Sequence, residues 1–107
     1  MKIIENVLHC PDLILAQKFF EDVLGLDVVA ESEQFSIQLG DTLLRFEEGL
    51  NSSGANFTFS TQDNIAETVK RVDFFNFRNS AQYQHTLIND NKLSILDPWG
   101  NHWHLLQ

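Results

Sequence analysis

One arrangement restricts the fold of this chain more than any other feature: strand, helix, then three strands, written twice. In the first half, KIIENVLHC alternates, so that Glu5, Val7 and His9 share one face of a strand and Ile4, Asn6, Leu8 and Cys10 the other. Asp12 follows Pro11 as a helix cap. LILAQKFFEDVLG then carries Leu13, Ala16, Phe20, Val23 and Leu24 at helical spacing, with Gly25 placed for a left-handed end. LDVVAE, QFSIQL and TLLRFEE follow as strands, the last two joined by a turn at Gly40-Asp41. After GLNSSGA, a linker by composition at residues 49–55, the order restarts. ANFTFST is a strand, Asp63 caps a second helix with a stripe of Ile65, Ala66, Val69 and Val72, and Glu67 and Arg71 support it four residues apart. DFFNFRNSAQ reads as a short strand and a loop. YQHTLI, KLSIL and HWHLLQ read as strands, with turns at Asn89-Asp90-Asn91 and in DPWGN. The repeat is one of architecture, not of residues.

Each sheet needs one apolar face for its helix. Trp103 and Leu105, Phe57 and Phe59, and Ile4 and Leu8 fit that face. Opposite them stand Glu5, His9, Asn56, His102 and His104, a polar face rich in groups that bind or move protons. Such a face also suits plain exposure to water. Trp99, at a turn tip, reads as packing or as a lid over a ligand.

Composition bounds the partners. At 107 residues and 43% hydrophobic content, one domain with a real core is expected, made of modules 1–50 and 55–107 joined by a short linker. The net charge of −8 argues against nucleic acid and anionic membrane and favours a cationic small ligand. The single cysteine, Cys10, forms no internal disulfide, and no apolar run approaches the length of a membrane span, so a cytoplasmic protein is expected.

Two stretches carry a family resemblance. DLILAQKFFEDVLGLDVV and the closing DPWGNHWHLL resemble the glyoxalase/bleomycin resistance/dioxygenase group, the vicinal oxygen chelate superfamily, and the resemblance runs from Lys2 to Gln107. It implies an α+β fold in which two βαβββ modules form an open, incomplete barrel around a cup-shaped cavity. It also implies a homodimer, and a divalent metal (Zn²⁺, Mn²⁺, Fe²⁺ or Ni²⁺) on inward residues of the first, fourth, fifth and eighth strands. Carried over by position, these fall on Glu5, on the neighbourhood of Leu44 (or Arg45 or Glu47 in a shifted register), on Asn56, and on His104. Glu5 and His104 are the metal-ligand candidates, with His9 or His102 as a third.

Three readings of function follow. In the first, a metal-dependent lyase, isomerase or dioxygenase acts on a vicinal-oxygen substrate, with Glu5 and His102 as catalytic candidates and His9, Asn56 and Trp99 lining the substrate. The second is a metal-free protein that sequesters a cationic antibiotic or metabolite. The third is a metal-free enzyme using Glu5 and His104 for acid–base work.

Overall fold

The computed structural model describes residues 1, 3–50 and 54–107. Within them the order is β1 (Glu5–Cys10), α1 (Leu13–Asp22), β2 (Val29–Glu31), β3 (Gln34–Leu39), β4 (Thr42–Glu48), β5 (Asn56–Ser60), α2 (Ile65–Asn79), β6 (Gln84–Asn89), β7 (Lys92–Leu96) and β8 (His102–Leu106). The chain is α+β and holds the same βαβββ module twice, in two compact units, residues 1–52 and 53–107. The linker expected at 49–55 falls partly outside the described residues.

In the first unit the open sheet runs β1-β4-β3-β2, with β1 parallel to β4 and the remaining pairs antiparallel. Its core lies between one sheet face and α1. Leu44, Phe46, Phe35 and Ile37 are buried from the sheet, and Ala16, Phe19, Phe20 and Val23 from the helix and its end. Phe35 and Phe46 stack at 4.6 Å and 8°, and the Phe20 ring lies 5.1 Å from Phe46. Asp12 caps α1 by accepting from Leu15 N, and Gly25 takes a φ of +64° after the helix, which no side-chain-bearing residue adopts as cheaply. Ile4 departs from expectation: it precedes β1 and is exposed, so the helix side of that strand is made by Asn6, Leu8 and Cys10.

The second unit repeats the plan as β5-β8-β7-β6, with β5 parallel to β8. Its core joins Trp103, Leu105, Leu93 and Ile95 to Ile65, Thr68, Val72 and Phe75 of α2. Three expectations are corrected here. The helix runs through DFFNFRN to Asn79, where a strand and loop were expected, because Ile65, Thr68, Val72 and Phe75 continue one buried stripe at steps of three and four. Ala66 lies outside that stripe and is exposed. The cap is Asn64, whose side chain accepts from Glu67 N, while Asp63 pairs with Arg71 at 3.3 Å. Among the described residues no helix is long and apolar enough to cross a membrane.

The DPWGN turn is a brace. Asp97 is 6% exposed, and its carboxylate accepts four hydrogen bonds, from Trp99 N, Asn101 N, Asn101 Nδ2 and Trp103 Nε1, at 2.9–3.1 Å. Asn101 in turn accepts from Ala55 N, and His102 N donates to Ala55 O at 2.8 Å. The turn thereby sets β8 against β5 in the register Asn56↔His102 and Thr58↔His104.

Candidate functional site

Each sheet has a second, open face, and the sequence alternation decides what stands on it. In the first unit Leu44 and Phe46 face the helix, so Leu43, Arg45 and Glu47 face the other way, opposite Glu5, Val7 and His9. The fourth-strand candidate is therefore not Leu44, which is 2% exposed in the core; Arg45 and Glu47 hold the open face. They build a ladder of charge. Arg45 Nη2 lies 2.5 Å from Glu5 Oε1, Arg45 Nη1 3.9 Å from Glu47 Oε2, and His9 Nε2 3.8 Å from Glu47 Oε1. Gly49 completes it: a Cβ there would stand 3.2 Å from His9 Cδ2, closer than side chains normally tolerate, so glycine lets the chain pass beside the imidazole. Beside the α1 N-terminus, a cleft of about 300 Å³ is lined by Pro11, Leu13 and Phe35 and by the carboxylates of Asp12, Glu31 and Glu48. This unit carries ten of the chain's fifteen acidic residues and three of its seven basic ones.

In the second unit Trp103 and Leu105 face the helix, and His102 and His104 the open side, as the alternation predicts. Their rings are near parallel, 5.9 Å apart at 7°. Thr58 and Ser94 flank His104 on the neighbouring strands. Asn56 fixes the chemistry of that imidazole. Its Nδ2 donates to Gly54 O at 3.2 Å, so Oδ1 faces His104 Nε2, also at 3.2 Å. A carboxamide oxygen can only accept, so Asn56 presents an acceptor to that ring nitrogen. Among the described residues Nδ1 of His104 is the one buried side-chain nitrogen or oxygen without a hydrogen-bond partner. Burial holds the His104 pKa below the ordinary 6.5, and the positive charge of Lys92 and the neighbouring His102 add to this.

That shift sets a sign for stability. Well above pH 6.5 the imidazole is neutral both folded and unfolded. As pH falls below 6.5 the unfolded chain takes a proton that folded His104 resists, so its contribution is lost until the folded pKa is passed. We expect the difference in unfolding free energy between the parent chain and His104→Gln to be flat above pH 7 and to shrink on acidification. A difference that grows as the solution is acidified contradicts the placement.

Glu5, His9, Asn56, His102 and His104 thus all stand on open faces, in two groups, one per unit. Trp99 is half-buried against Tyr83 with ring centres 6.3 Å apart, which supports packing within its own unit. Sequence reasoning left Arg45 as an alternative and missed Gly49 and Lys92. The burial phase of Leu44 and Phe46 would have found Arg45; nothing in the sequence marks Gly49.

The superfamily resemblance implies a metal; of the four positions it names, Leu44 is an apolar core residue and Asn56 offers only a carboxamide oxygen. Within neither unit do three His, Cys, Asp or Glu side chains, among the described residues, come together where they could hold an ion. Glu5 already has a guanidinium at its carboxylate.

No family model and no curated protein matches the sequence. Solved structures do. An integron cassette protein from Vibrio cholerae aligns over 98% of this chain and 93% of its own, with a TM-score of 0.69 at 15% identity. A fosfomycin resistance protein from Listeria monocytogenes, solved as a mutant with Mn(II) and a dihydroxypropylphosphonic acid, covers 98% and 88% at 0.73 and 10%. A lactoylglutathione lyase from Agrobacterium tumefaciens covers 98% and 92% at 0.59 and 22%. The likeness is one of fold: this chain has the glyoxalase-like fold of these structures, with two βαβββ modules.

Proposed function

We propose that this chain is a small-molecule-binding protein that uses the open faces of its two sheets and works without a resident metal. The observation that carries this reading is the Arg45–Glu5 pair. A carboxylate compensated by a guanidinium 2.5 Å away is a poor seat for a divalent cation, since a second cation there meets direct repulsion. In this reading Glu5 and Arg45 form a paired hydrogen-bonding surface, His9 and His102 are proton-moving groups, and neutral His104 is a hydrogen-bond partner. A cationic ligand is favoured by the acidic first unit and by the carboxylate-lined cleft at α1. Turnover separates an acid–base enzyme from a sequestering protein. The homodimer and a cytoplasmic setting belong to the same proposal.

The test is the metal content of tag-free protein by mass spectrometry, after incubation with Zn²⁺, Mn²⁺, Fe²⁺ and Ni²⁺, for the parent, Glu5→Ala and His104→Ala. Metal well below stoichiometric in all three is the expected result. Near-stoichiometric metal in the parent, lost in both variants, overturns the reading in favour of a metal-dependent lyase, isomerase or dioxygenase. Fosfomycin-like and glutathione-adduct chemistry would then be the first substrates to try, after the two neighbours named above.

A further inference from the structure

We infer that Asn56 is a positioning residue: it holds His104 as the Nε2–H tautomer, with the bare Nδ1 lone pair on the buried side of the ring. The argument is a chain of single-choice hydrogen bonds. Gly54 O has no proton, so the atom of Asn56 facing it at 3.2 Å is the donor Nδ2. The other end of the same carboxamide is then an acceptor, and it meets Nε2 at 3.2 Å. The opposite ring nitrogen, Nδ1, is out of contact with water and finds no protein donor. An orphaned buried N–H is rarer in folded proteins than an under-satisfied acceptor. Both facts select one tautomer.

An imidazole locked this way accepts and does not donate at Nδ1. His102, stacked beside His104 on the same strand, has no such lock among the described contacts, so the two histidines differ in role in spite of their matching orientation.

Long-range ¹⁵N–¹H correlation spectra of ¹⁵N-histidine-labelled apo protein, recorded with chelator at pH 8, read the two ring nitrogens separately. A ring nitrogen that carries a proton is well resolved from one that does not. The expected result for His104, assigned by its loss in His104→Gln, is a protonated Nε2 and a bare Nδ1 in a single tautomer. Asn56→Ala should move it to a mixture of both tautomers, and Asn56→Asp, which keeps an accepting oxygen, should restore the single form. Asn56 is exposed, so neither change threatens folding, and the remaining histidine signals report that directly. A proton on Nδ1 in the parent, or a tautomer indifferent to Asn56→Ala, overturns the inference. Because the experiment uses neither ligand nor metal, its failure and failure of the functional reading are told apart.

Discussion

Replacing Asp97 by alanine should lower stability by about 3 kcal/mol, one of the two largest effects expected in this chain. The carboxylate is 6% exposed and serves four donors, two of them backbone N–H groups. Alanine removes the shared acceptor of all four in a place too closed for water to replace it fully. The loss should appear as a fall of about 2 M in the urea midpoint, at an m-value of roughly 1.5 kcal/mol/M. Both tryptophans of the chain, Trp99 and Trp103, belong to the second unit, so their fluorescence reports the unit that holds the brace. A loss under about 0.5 kcal/mol would show that water replaces the carboxylate and that β8 needs no brace.

Trp103→Ala should cost more, about 4 kcal/mol. The indole is 2% exposed and stacks on Phe57 at 5.3 Å and Phe59 at 6.0 Å, so its removal opens a cavity beneath β5. Trp103→Phe keeps most of that contact and removes the Nε1–H that reaches Asp97, for an expected cost of about 1.5 kcal/mol. The two sites share a hydrogen bond, so their effects should not add. In a cycle of Asp97→Ala and Trp103→Phe, the double variant should be about 1 kcal/mol more stable than the sum of the single losses predicts. Circular dichroism follows this cycle where the fluorophore itself is changed. Strict additivity would place Trp103 in the core for its area alone.

Alternation made the strands legible. QFSIQL, TLLRFEE and KLSIL occupy the residues that their sequence pattern assigns, because a sheet covered on one side writes its burial at every second residue. The paired modules and the facing of His102 and His104 followed from the same rule. The second helix was harder to read because Phe75 and Phe77 alternate like a strand across Asn76. The helical phase runs instead through Thr68, a polar residue within the buried stripe, and leaves Phe74 and Phe77 exposed. Thr68 fits there because its hydroxyl bonds to Asn64 O at 3.2 Å and accepts from Arg71 at 2.9 Å. Propensity does not announce such a satisfied hydroxyl. For the open face, the sequence named Glu5, Asn56 and the histidines. It did not name their partners, since Arg45 depends on a register one residue from the position counted from the Gly40-Asp41 turn, and the Asn56–His104 bond joins residues 48 apart.

Each sheet places the strand made last between the first and the third. During synthesis, then, β1 has no neighbour until β4 emerges, and β5 none until β8 does. The hairpins β2-β3 and β6-β7 can close early over short loops, whereas the parallel pairs close late and over most of a module. A ribosome that pauses before either closing strand holds a module with two unpaired strand edges facing a gap, the form of chain most open to capture by another nascent copy. Translation speed across TLLRFEE and HWHLL is therefore a quantity that yield should follow, independently of the stability of the finished protein.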